Sequence, residues 1–120
     1  MATPTAAAKP ATQRRTSTEH RNEVLVTGRL SMAAEERELP SGDEVVSWRL
    51  VVERPPGAER SGMDVIDCAA FGARIRRAAV KWLPGDVIEV EGALRRRFWR
   101  TGTATASRYE IEVRRAVRVG

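Results

Sequence analysis

From Asn22 onward apolar and polar residues alternate with a period of two, the mark of strands that bury one face. Over 23–31, Val24, Val26 and Leu30 share one face, and Glu23, Thr27 and Arg29 the other. Gly28 falls among them, which predicts a bend or bulge. Residues 32–44 lose the alternation and end in Pro40-Ser41-Gly42-Asp43, a turn signature, so they are expected to be loop. A second strand follows over 45–53, with Val46, Trp48, Leu50 and Val52 on one side and Ser47, Arg49 and Glu53 on the other. Arg54-Pro55-Pro56-Gly57 opens a loop that lasts through Gly62. The third strand covers 63–71: Ile66, Cys68 and Ala70 face one way, and Val65, Asp67, Ala69 and Phe71 the other.

After Gly72 the period lengthens. Ile75, Ala78, Ala79 and Trp82 recur at helical spacing over 73–83, and Pro84-Gly85 ends the run. Two more strands are predicted, at 86–99 with Ile88, Val90 and Leu94 on one face, and at 108–118, where Tyr109, Ile111, Val113 and Val117 alternate with Glu110, Glu112 and Arg114. A loop around Gly102 joins them over 100–107. The order is three strands, one short helix, two strands. It predicts a mainly all-β fold, a five-stranded OB-type barrel whose helix plugs the barrel between strands three and four. An SH3-like barrel has no comparable helix at that point. Residues 1–21 are rich in Ala and Thr without apolar periodicity, and are expected to form a disordered arm ahead of one domain at 22–120.

Charge adds a ligand class. The 120 residues carry 21 Lys and Arg against 16 Asp and Glu, a net of +5. Only Lys9 and Lys81 are lysines; the rest is arginine, whose forked guanidinium grips phosphate and stacks on bases. The charge is divided unevenly: 22–73 hold 5 basic and 10 acidic side chains (net −5), and 74–120 hold 12 and 5 (net +7). A basic balance of this kind points toward nucleic acid or another anionic surface.

Other chemistries find little support. Cys68 is the one cysteine and fits a buried small residue in a reducing cytoplasm. No Cys/His cluster offers a metal site, and no apolar run of about 18 residues offers a membrane span. One histidine, His20, no Ser/His/Asp set and no phosphate-cradling glycine loop leave no basis for an enzyme.

Four segments resemble bacterial single-stranded DNA-binding proteins. Asn22-Glu23-Val24-Leu25-Val26-Thr27-Gly28-Arg29-Leu30 is similar to their opening strand, Glu38-Leu39-Pro40-Ser41-Gly42 to their turn before strand two, and Ala70-Phe71-Gly72 to the end of strand three. Gly85-Asp86-Val87-Ile88-Glu89-Val90-Glu91-Gly92-Ala93-Leu94-Arg95-Arg96-Arg97-Phe98-Trp99 resembles the family strand G-x-x-V-x-V-E-G-x-L-x-x-R-x-W. The four lie in order, and the resemblance as a whole covers residues 22–118. The resemblance implies an OB barrel that wraps unpaired DNA with little sequence preference, uses no cofactor, assembles as a homotetramer, with a homodimer as the smaller alternative, and works in replication, recombination or repair at the nucleoid. Phe71 and Trp99 match positions that stack on bases in the family, and Arg95 and Arg97 match positions that contact phosphate. Arg49 and Arg74 are added as candidate DNA contacts on the same basic path.

The sequence also departs from the family pattern. Val65 and the Arg54-Pro55 region stand where two further stacking aromatics are usual, and Asp67 stands where arginine is common. The chain stops at Gly120 without an acidic-tipped tail, so recruitment of partners through one is not expected. These departures motivate an alternative: an OB protein-interaction module of the replication-restart type that binds nucleic acid weakly. Trp48 and Trp82 read as core, the latter docking the helix onto the barrel.

Overall fold

The computed structural model describes residues 18–120. Six strands and one helix follow in order: β1 (Val24–Leu30), β2 (Glu35–Glu38), β3 (Glu44–Glu53), β4 (Met63–Ala70), α1 (Ala73–Ala79), β5 (Val87–Thr101) and β6 (Ala104–Arg118). The sheet order is β1-β5-β6-β4-β3-β2, and an additional β1–β3 pairing closes the first five into a ring. Only β4 and β6 run parallel, through Cys68↔Ile111 and Ala69↔Glu112. The OB-type architecture expected from the pattern is therefore present, with β2 added outside the ring on the edge of β3.

Closure depends on β1 pairing with two strands. It follows β5 from Val24↔Gly92 to Arg29↔Val87, and meets β3 at Arg29↔Val51 and Leu30↔Leu50. Gly28 sits at the crossing, where an added Cβ would come within 2.8 Å of the Val51 carbonyl oxygen. Ahead of β1, the Asn22 amide exchanges two 2.8 Å hydrogen bonds with the Leu94 backbone and continues the pairing beyond the strand.

The inward positions fill the barrel as their alternation predicts. Leu30, Val46, Trp48, Leu50, Cys68, Ala70, Ile88, Val90, Ile111 and Val113 form one buried cluster. α1 caps it with Ala79, and Trp82 meets Trp48 edge to face, ring centroids 5.1 Å apart. The helix is shorter than the expected 73–83, because the backbone leaves the α ladder after Ala79 and Trp82 N–H bonds the Ala79 carbonyl instead. Pro84-Gly85 then turns the chain into β5, with Gly85 at φ +98°.

Two stretches expected as loop are strand. All four residues of β2 are exposed, so it has no buried face to write an alternation. Its backbone pairing with β3, from Glu35↔Ser47 to Glu38↔Glu44, holds it in place. The expected loop at 100–107 is the end of a hairpin: pairing continues to Thr101↔Ala104 around Gly102-Thr103. Gly102, at φ +61°, takes the first central place, the sign pattern of a type II′ turn.

The hairpin outruns the barrel. β1 covers β5 only as far as Gly92, and β4 meets β6 only at Ile111 and Glu112. Beyond that, β5 and β6 form a two-stranded ribbon. Leu94 keeps the expected face but lies on this ribbon, 46% exposed. The register shifts between Glu91↔Arg115 and Gly92↔Val113, leaving Arg114 as the extra residue of a bulge.

Candidate nucleic-acid interface

The outward positions of the β3–β4 and β5–β6 strands make a continuous face. On β5 it carries Arg95, Arg97 and Trp99, and on β6 Arg108, Glu110 and Glu112, paired as Arg95↔Glu110, Arg97↔Arg108 and Trp99↔Ala106. On β3 and β4 it carries Ser47, Arg49 and Asp67.

Two adjoining hollows lie on this face, with Arg108 common to both. One, of about 340 Å³, is lined by Arg37 of β2, Arg97, Phe98, Trp99 and Arg108. The other, of about 190 Å³, includes Glu35, Ser47, Arg49, Asp67, Arg108 and Glu110. Trp99 is 44% exposed, with the Arg108 guanidinium 5.9 Å from its ring centroid. An open indole edged by guanidiniums offers a stacking surface beside cationic donors.

Most of the expected arginines here are already matched. Arg49 Nε donates to Asp67 Oδ1 at 2.9 Å, Arg95 Nε to Glu112 Oε1 at 2.8 Å, and Arg97 Nη1 to Glu110 Oε2 at 3.1 Å. Glu110 is buried, so its pair with Arg97 is the least screened of the three. These carboxylates fix the guanidiniums in the groove and also lower the net positive field a phosphate would meet. Arg37 and Arg108 carry no ion pair among the described residues and leave the hollow cationic.

The six residues singled out from sequence are not all brought together. Arg97 and Trp99 share the larger hollow, Arg95 continues along their strand face, and Arg49 lines the adjoining hollow. Phe71 lies one residue past β4 and lines a separate hollow with Gly42, Asp43, Glu44 and Arg76. Arg74 is exposed on α1 and lines neither of the two adjoining hollows. Sequence reasoning missed Arg37 and Arg108. Arg37 lies on the strand that carries no alternation. Arg108 was within reach: a two-residue turn at Gly102-Thr103 sets it opposite Arg97 by counting back along the hairpin.

Cys68 sits under this face and is inert. Burial, with the Asp67 and Glu110 carboxylates nearby, pushes its thiol up to about 12. A thiol held protonated is neither a nucleophile nor a metal ligand. Among the described residues no His/Cys/Asp/Glu group is arranged to hold a metal, and no helix is long and apolar enough to cross a membrane.

Fold and face together define an OB-type barrel with an arginine-lined, aromatic groove. The profile of the Single-strand binding protein family matches residues 21–119, and the chain belongs to that family. Membership assigns single-stranded DNA as the ligand. Among solved structures the chain is similar to one described as Plasmodium falciparum SSB complex with ssDNA, at TM-score 0.65 and 21% identity, covering 84% of this chain and 95% of that one. At that identity the likeness is one of fold. No curated protein matches the chain in sequence.

Proposed function

We propose that the protein binds and protects single-stranded DNA without sequence preference, in replication, recombination or repair, by base stacking on Trp99 and guanidinium–phosphate contacts from Arg97, Arg108 and Arg37. The hollow that joins these four carries the reading. A ring accepts any base, because every base has a π face, and each stacked base contributes about 1–3 kcal/mol. The arginines track the backbone, and their share weakens with salt because releasing condensed counterions into a more concentrated solution gains less free energy. Arg95 and Arg49 hold the neighbouring carboxylates and line the path, and Phe71 offers a second ring further along it.

The protein acts by binding alone, with no reaction and no cofactor, at the nucleoid of a bacterial cytoplasm. We assign it a homotetrameric state. Exposed apolar side chains on β1 and at the chain end, Leu25, Val117 and Val119, suit burial against further copies.

Titration with oligo-dT, followed by tryptophan fluorescence, tests this reading. Quenching at low salt that fades as salt is raised is expected; a flat signal at low salt would sink it. Trp99→Ala should abolish the quench and weaken binding roughly tenfold or more.

A further inference from the structure

The groove above uses one face of the β5–β6 ribbon. The other face carries Leu94, Arg96, Phe98 and Arg100 on β5, opposite Ile111, Tyr109, Ser107 and Thr105 on β6. This side contains no carboxylate. On the groove side, in contrast, Arg95 and Arg97 are each neutralised by a glutamate.

Two rings stand open there, Phe98 at 63% exposure and Tyr109 at 57%. The Arg96 guanidinium lies over both, 5.0 Å from the Phe98 centroid and 5.4 Å from that of Tyr109. Its Nε and Nη2 donate to Ser107 Oγ at 3.2 and 3.1 Å, which fixes the plane of the fork while leaving the charge uncompensated. A ribbon in water does not need two exposed rings beside a cation that has no ion pair among the described residues. The arrangement repeats that of Trp99 and Arg108 on the other face.

The two faces also connect. Phe98 reaches round the strand to line the Trp99 hollow. Past Leu94 the outer edge of β5 meets no other strand, so a chain can pass over it from one face to the other.

We infer that this reverse face, Phe98, Tyr109, Arg96 and Arg100, is a second track for single-stranded DNA, which leaves the Trp99 groove, crosses the β5 edge and stacks on the back of the ribbon. The inference rests on the ssDNA-binding reading above. The ligand follows from charge and chemistry: two cations, two rings and no acid suit bases linked by phosphates.

The experiment compares a short and a long oligo-dT, about 8 and about 35 nucleotides, on the full chain. The short strand fills one groove, and the long one reaches the reverse face. Arg96→Ala/Tyr109→Ala, two exposed positions outside the lining of the Trp99 hollow, should leave short-strand affinity within about twofold. It should weaken long-strand affinity at least roughly tenfold and reduce the number of nucleotides occluded per chain. Unchanged long-strand binding overturns the inference while leaving the Trp99 groove standing; loss of binding in Trp99→Ala separates the two. An altered mass in light scattering with unchanged DNA binding overturns it in favour of contact between copies. No binding by the unaltered chain to either strand would instead defeat the reading on which it rests. A direct readout comes from a Trp99→Phe/Tyr109→Trp chain, in which the long oligonucleotide should quench the new indole and the short one should not.

Discussion

At the scale of single residues, charge on the groove face is held in pairs, and pairing decides what each arginine has left to offer. Arg49, Arg95 and Arg97 each spend a donor on a carboxylate, whereas Arg108 is shared by both hollows and has no carboxylate partner among the described residues. Each phosphate contact on a single strand adds about 0.7 to the slope of log K against log salt. Arg108→Ala should therefore flatten the slope by roughly that amount, and Arg49→Ala should change it less; equal losses would contradict the pairing argument. Glu112→Gln tests the same idea from the other side. Releasing Arg95 should raise affinity and steepen the salt dependence, as filter binding over a salt series would record.

Cys68 gives a residue-scale prediction of another kind. Its thiol keeps its proton up to about 12 in the fold, against 9.0 in an open chain. Unfolding above pH 9 thus releases a proton, so this contribution is intact below pH 9 and falls as pH climbs toward 12, by on the order of 1 kcal/mol per pH unit. Urea melts at pH 8 and 10 should show a smaller drop for Cys68→Ala than for the parent. A parallel drop in both would show that the thiol is not responsible.

At the scale of elements, two glycines hold the barrel's geometry. At Gly92, beside the bulge, a Cβ would overlap the Glu112 carbonyl. The backbones must separate to admit one, so Gly92→Ala should cost about 1–3 kcal/mol in denaturant unfolding and loosen the ribbon that carries Trp99. Gly28→Ala should act similarly at the β1–β3 crossing. An unchanged midpoint in either variant would refute the close approach.

The elements also show where a sequence speaks and where it is silent. β1, β3, β4 and the first half of β5 announce themselves, because Val24, Val46, Trp48, Leu50, Ile88 and Val90 alternate into one core. β2 has four exposed residues and the ribbon tip has water on both faces, so neither writes a period. Backbone pairing builds them, and pairing leaves no mark on side-chain choice. The same silence hid Arg37, whereas Arg108 needed only the hairpin register that the Gly102-Thr103 turn fixes. Trp99, Arg95 and Arg97 were legible through a motif; Phe71 was legible as an outward residue but not as one in a different hollow.

At the scale of the whole molecule, the two signs of charge are carried by different parts of the barrel. The acidic segment 22–73 contributes β1 to β4, and the basic segment 74–120 contributes α1, β5 and β6. DNA should therefore approach the ribbon side, and association rates in stopped flow should fall steeply with salt. Reversing Arg97 and Arg108 to glutamate should slow association far more than reversing Arg29 and Arg60. Light scattering at micromolar concentration should return four times the monomer mass; a mass that stays monomeric would exclude the tetramer.

The edge-to-face contact of Trp48 with Trp82 has an optical consequence. Two indoles locked at 89° inside the barrel form a chiral pair, while the third, Trp99, stands in the open. Near-ultraviolet circular dichroism should then follow the packing of the core, and emission lost on adding DNA should report on Trp99. The protein should thus offer separate spectroscopic channels for its folding and for its cargo, so that a substitution that silences one while sparing the other can be assigned without a label.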